Sequence, residues 1–132
     1  MTVRQARVAF TSLTAAAFGS LLFLAPGSAL AGDPVAGKAV FQSACVVCHA
    51  NRAGDNKVGP TLFGVVGRKT GSVPEYTYSP ANLAANITWT DAELEAYLAA
   101  PRAVIPGTKM AYAGVKDATK RADLIAYLDT LK

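Results

Sequence analysis

Cys45-Val46-Val47-Cys48-His49 decides how this chain is to be read. The pattern C-x-x-C-H is the attachment signature of a c-type haem. Cysteines at this spacing put their sulfurs on one helical turn, within reach of the two vinyl groups of a single porphyrin, and the histidine that follows turns its imidazole toward the iron. A C-x-x-C also occurs as a thioredoxin-like redox pair or as half of a zinc site. The first expects a βαβ pattern, and none is visible here. The second usually takes four Cys or His ligands, yet Cys45, Cys48 and His49 are the only Cys and His in the sequence. The expected cofactor is one covalent haem c, with Cys45 and Cys48 as its thioether anchors and His49 on its iron.

Upstream, Arg4 and Arg7 precede an apolar run from about Ala15 to Ala25 and then Ser28-Ala29-Leu30-Ala31. A positive start, a short apolar stretch and an A-x-A site read as a signal peptide cleaved after Ala31. Pro26 and Gly27 cut the run well short of the roughly 20 apolar residues a spanning helix needs, so no stable membrane insertion is expected. The organisation is residues 1–31 as signal and 32–132 as one domain of 132 − 31 = 101 residues. A domain that small has a marginal core of its own, which a buried haem would extend. Export to the periplasm agrees with the cysteines, since both are committed to haem and no disulfide is expected. Without Arg4 and Arg7 the domain carries 13 − 2 = 11 basic against 9 acidic residues, a net +2. The strongly basic face that nucleic acid requires is missing.

Asp33-Pro34 combines an N-cap residue with proline at the first helical position. It predicts a helix to about residue 44, with Val40 and Phe41 inward and the cysteines delivered at its end. Thr90-Asp91-Ala92-Glu93 has the form of a capping box, Leu94, Tyr97 and Leu98 recur at spacings of three and four, and Pro101 stops that helix. From about 118 to 131, Leu124, Tyr127, Leu128 and Leu131 form one stripe with Lys120, Arg121, Asp123 and Asp129 outside it. A short helix is expected around 80–85, and no strand alternation is convincing. Residues 50–79 are rich in glycine and proline with little periodicity, and 101–117 are also irregular. Loops of this length argue against a compact domain unless they serve a function; a flat apolar ring for them to pack on would resolve the conflict.

With His49 on one side of the iron, the ligand on the other side separates electron transfer from small-molecule chemistry. There is no second histidine. Once Met1 is removed with the signal, Met110 is the only methionine. It ends the segment Ile105-Pro106-Gly107-Thr108-Lys109-Met110, where proline and glycine stiffen the backbone ahead of the sulfur. A methionine taken alone is as well explained by packing; beside an exported haem it is the candidate sixth ligand.

Beyond C-x-x-C-H, the chain carries Gly59-Pro60, Phe63-Gly64-Val65-Val66-Gly67-Arg68-Lys69-Thr70-Gly71, Tyr76-Thr77-Tyr78, Ala81-Asn82, Ile87-Thr88-Trp89, the segment from Ile105 to Met110, and a C-terminal stretch from Arg121 to Leu128. In these motifs and their order it resembles the class I c-type cytochromes, mitochondrial cytochrome c and its small soluble bacterial counterparts, over essentially the whole domain. The resemblance implies an all-α cytochrome c fold in which helices frame one covalently bound haem with long loops packed on it. It implies that Pro60 offers its carbonyl to the His49 ring N–H, that Arg68, Tyr78 and Trp89 hold a buried haem propionate, and that Asn82, Tyr97 and Thr108 form a polar cluster on the methionine side. Spacing alone would favour Trp89 and Tyr97 as core residues and Arg68 as a solvated loop cation; the resemblance reverses that preference. Gly37, Phe41, Leu124 and Tyr127 match the contact between the family's terminal helices.

The implied function is that of a soluble, monomeric one-electron carrier with His/Met ligation, not an enzyme. It would move electrons between membrane-bound or periplasmic redox proteins, from a cytochrome bc complex to an oxidase or photosynthetic reaction centre. A dedicated electron-acceptor subunit of a periplasmic dehydrogenase is the alternative. A peroxidase would need a distal base, and no second histidine exists to serve. The chain departs from the mitochondrial pattern at Tyr112, where phenylalanine is usual, and at Ala44, Arg102, Ala103 and Asp117, where lysines are. Lys57, Arg102, Lys109 and Lys116 remain as the expected docking residues around an exposed haem edge.

Overall fold

The computed structural model describes residues 31–132; apart from Ala31, the expected signal peptide lies outside them. The described residues form five helices, α1 (Pro34–Ala44), α2 (Pro80–Ala84), α3 (Asp91–Ala99), α4 (Pro101–Val104) and α5 (Ala118–Asp129). Among the same residues a single antiparallel bridge joins Lys69 and Thr88. The fold is all-α.

Helix α1 starts where its cap was expected. The Asp33 carboxylate accepts the Val35 N–H at 2.8 Å and Pro34 begins the helix. At its other end the chain winds on in tight turns, Cys48 N–H and His49 N–H both donating to Cys45 O at 3.1 and 2.9 Å. The three motif residues are therefore held at one corner. Helix α5, capped by Asp117 through the Lys120 N–H at 3.0 Å, crosses α1. Phe41 and Tyr127 meet there at 5.4 Å between ring centroids, and Leu124 is fully buried. The crossing is close because Gly37 lies in it: a Cβ at that position would stand 1.9 Å from the Asp123 carbonyl oxygen.

Helix α3 buries Leu94, Tyr97 and Leu98, as its spacing predicts. Only the Thr90 half of the capping box forms. The Thr90 hydroxyl accepts the Glu93 N–H at 3.3 Å, while the Thr90 N–H goes to Thr88 O at 2.8 Å. Pro101 ends α3 and, with its fixed φ, also opens α4, a helical turn inside a stretch read from sequence as irregular. Two residues assigned to the outer face of α5 are not fully solvated. Asp123 accepts the Asp33 N–H at 2.8 Å, and Arg121 turns inward to Glu95. Apolar periodicity marks which face meets the core but is blind to polar partners supplied by a neighbouring segment.

The long segment 50–79 keeps its irregular course by bonding to other parts of the fold. Leu62 N–H reaches Ala50 O and Gly59 N–H reaches Cys48 O, both at 2.8 Å, while Gly67 and Trp89 exchange bonds with the opposite run through Trp89 O and Arg68 O at 2.8 and 2.9 Å. Helices and loops together enclose one large apolar cavity.

Candidate haem site

That cavity measures about 540 Å³, and Cys45, Cys48, His49 and Met110 all stand in its wall. Leu94, Leu98 and Leu128 give it an apolar floor from α3 and α5. A volume of this size with a few convergent polar groups is that of a small-molecule or cofactor site.

His49 is oriented from two sides. Its Nδ1–H donates to the Pro60 carbonyl at 2.7 Å, which leaves Nε2 with its lone pair free for a metal. The Gly59 backbone lies so close to the ring that a Cβ there would come within 2.2 Å of Cε1. Burial lowers the His49 pKa from its ordinary value, outweighing the Pro60 bond that raises it. The neutral, ligating form is favoured.

The two cysteines form no disulfide with each other; Cys45 is buried and Cys48 exposed. Burial, and secondarily the neighbouring Cys48, pushes the Cys45 thiol up to about 11. A redox dithiol or thiolate metal site depends on the opposite shift. Among the described residues no group of three or more His, Cys, Asp or Glu is placed to hold a metal ion.

On the methionine side, Gly107 takes a left-handed φ of +87° and the turn closes through Thr108 N–H to Ile105 O at 3.1 Å. Met110 follows directly. Its sulfur accepts the Tyr97 hydroxyl at 3.6 Å, and its N–H donates to the Thr108 hydroxyl at 3.3 Å. Thr108 in turn donates to Asn82 Oδ1 at 3.0 Å, and the buried Ser79 donates to the same oxygen at 2.8 Å. Burial raises the Tyr97 phenol pKa, against side-chain interactions with Thr108 and Asn82 that lower it, so the phenol stays a donor. The three residues expected as a polar cluster are thus one connected network. Ser79 was missed, though its place before Pro80 marks it as the cap of α2.

Arg68, Tyr78 and Trp89 also line the cavity. Arg68 donates to Phe63 O at 2.7 Å and to Thr61 O at 2.8 Å, which fixes a partly buried guanidinium. Tyr78 accepts the Val73 N–H at 3.3 Å, and Trp89 is buried against Tyr97 with centroids 4.7 Å apart. Together they bring one cation and two further donors to a largely apolar wall, a setting that offsets the cost of burying a carboxylate. The donor set, the cradle at Gly59 and the apolar cavity fit a c-type haem.

The expected docking residues are less uniform. Lys109 stands in the cavity wall, with its ammonium on Thr77 O and 4.4 Å from the centroid of the Tyr76 ring. Lys57 donates to Val46 O at 3.1 Å and Lys116 to Ala99 O at 2.8 Å. Arg102 is exposed on α4.

Comparison with known proteins agrees with this geometry. The family described as Cytochrome c matches residues 34–132. Cytochrome c2 of Rhodopila globiformis is 54% identical over 106 residues, covering 80% of this chain and 100% of that protein. Cytochrome c of Euglena viridis is 48% identical over 101 residues, covering 76% and 99%. Among solved structures, cytochrome cH from Methylobacterium extorquens superposes with a TM-score of 0.70 at 44% identity, covering 75% of this chain and 99% of its own.

Proposed function

The chain belongs to the cytochrome c family, and we propose that it is a one-electron carrier of the periplasm whose single haem c is anchored by Cys45 and Cys48 and ligated through iron by His49 and Met110. When bound, the haem supplies a one-electron couple, and His/Met ligation raises its potential. The observation that carries the reading is the presence of both cysteines, His49 and Met110 in the wall of one cavity, with His49 Nε2 left free by the Pro60 bond. Gly59 leaves the imidazole the space a Cβ would fill, and Tyr97 keeps a hydrogen bond on the methionine sulfur. Arg68, Tyr78 and Trp89 are the groups suited to a propionate. Leu94, Leu98 and Leu128 give the ring an apolar surface to lie on.

The mature domain begins at Gly32, with the signal removed after Ala31. Support comes from the first residues beyond that bond: Gly32 is packed so closely on α5 that a Cβ would lie 2.1 Å from Ala122 O, and Asp33 caps α1. Partners are redox proteins that present acidic groups to Lys57, Arg102, Lys109 and Lys116.

Met110→Ala tests the reading. The haem is expected to remain attached after acidified organic extraction, while the potential falls and imidazole binds the iron. Haem that extracts freely from the wild type refutes Cys45 and Cys48 as anchors; a variant with unchanged potential and imidazole affinity refutes Met110 as a ligand.

A further inference from the structure

Arg121 is 13% exposed at its side chain, yet it stands on the helix face that periodicity assigns to solvent. Its guanidinium is used almost fully. Nε and Nη2 reach Glu95 Oε1 at 2.8 and 2.6 Å, and Nη1 donates to Val115 O at 2.8 Å and Lys116 O at 2.9 Å. Four of the five N–H donors of an arginine are thereby committed, to α3 on one side and to the segment returning from Met110 on the other. The same segment is drawn onto α3 independently. Val115 N–H donates to Leu98 O at 2.8 Å, and Gly114 lies where a Cβ would meet Ala99 O at 2.5 Å. Helix α3 is also the helix that carries Tyr97, the hydroxyl donor to the Met110 sulfur.

We propose that Glu95, acting through Arg121, is a positioning residue for the sixth iron ligand: the ion pair fastens the return of the Met110 segment to the helix that carries Tyr97 and so lengthens the residence of the thioether on the iron. The inference rests on the assignment of Met110 as a ligand. Without the carboxylate, Arg121 keeps its two carbonyl contacts but loses its tie to α3, and the segment is held there by the Val115 bond, the exposed Lys116 bond to Ala99 O at 2.8 Å and the close packing of Gly114. Release of the sulfur then becomes easier while the crossing of α1 and α5, which Arg121 does not enter, is unchanged.

The experiment compares Glu95→Gln and Glu95→Leu with wild type in the haem-loaded ferric protein. The thioether-to-iron absorption band first establishes that Met110 is bound. The rate of imidazole entry at saturating imidazole then reports release of the thioether, and exchange of the Val115 amide hydrogen reports loosening of the segment. Imidazole entry is expected to quicken about two- to fivefold in Glu95→Leu, the size appropriate to an ion pair with one partner 42% exposed, and less in Glu95→Gln, which keeps a hydrogen bond. Val115 exchange should quicken in parallel. Asp33→Ala, which removes the cap of α1, serves as control at equal global stability and should leave both rates near wild type. Unchanged rates in the Glu95 variants, or equal acceleration in the control, overturn the inference alone. Absence of the thioether band in wild type overturns the Met110 assignment and this inference with it.

Discussion

Replacing Gly37 by alanine sets two effects of opposite sign against each other. Helix propensity favours alanine by up to about 1 kcal/mol at an interior position. The new Cβ, however, would stand 1.9 Å from the Asp123 carbonyl oxygen, 2.5 Å from its carbon and 2.8 Å from the Tyr127 Cβ. Restoring an ordinary carbon–oxygen approach of about 3.3–3.6 Å means parting α1 from α5 by roughly 1.4–1.7 Å. The obstacle is backbone, so no side-chain rotation relieves it. A gap of even 1 Å forfeits about a quarter to a half of each contact's attraction, and the Phe41–Tyr127 pair and Leu124 lie in that interface. Overpacking costs about 1–3 kcal/mol and sometimes more; at this severity it exceeds the propensity gain and leaves a net loss of about 2 kcal/mol. For a domain near 100 residues that lowers Tm by about 8–16 °C. The assay is thermal unfolding of the haem-loaded protein followed by far-ultraviolet circular dichroism. Gly64→Ala provides the comparison, because Gly64 has φ +65° and open space around its Cβ, so only the left-handed backbone cost of about 1 kcal/mol applies. A Gly37→Ala protein as stable as wild type, or no less stable than Gly64→Ala, would refute the claim that glycine is there to permit the crossing.

Acid should weaken the start of α5 through Asp117, whose pKa is lowered chiefly by the Lys120 N–H that its carboxylate accepts. Because the folded value lies below the ordinary aspartate value of about 3.9, the stabilisation is complete above that value and is lost as pH falls through the folded one. Urea midpoints measured downward from about pH 5 should therefore fall more steeply in wild type than in Asp117→Asn, which caps without titrating; parallel profiles count against the assignment. For docking, Lys109→Glu with Lys116→Glu should slow association with an acidic redox partner more than Lys120→Glu with Lys132→Glu, since both pairs change net charge equally and only local placement differs. Stopped-flow association rates at about 0.1 M salt, where screening acts over roughly 10 Å, make the comparison, and equal losses would leave only a general charge effect.

Much of this protein is legible in one dimension because its chemistry is local. Cys45, Cys48 and His49 are spaced for one porphyrin within a single turn, and the caps Asp33, Thr90 and Asp117 act on N–H groups two or three residues away. The inward stripes of α3 and α5 follow from helical period alone. Counting residues left Met110 as the candidate sixth ligand. What periodicity could not supply was every contact made across the fold. Glu93 was expected to close a capping box, but the Thr90 N–H found Thr88 O. Arg121 and Asp123 were assigned to solvent, because nothing in the spacing of apolar residues announces that Glu95, Val115 or Asp33 will supply partners from 6 to 90 positions away. Likewise the sequence contains Gly59 and Pro60, but only the folded chain brings one against the His49 ring and points the carbonyl of the other at Nδ1. Local spacing marked the candidate haem groups; long-range backbone and side-chain contacts decided how firmly each is held at the cavity, since their geometry exists only once the loops have closed on it.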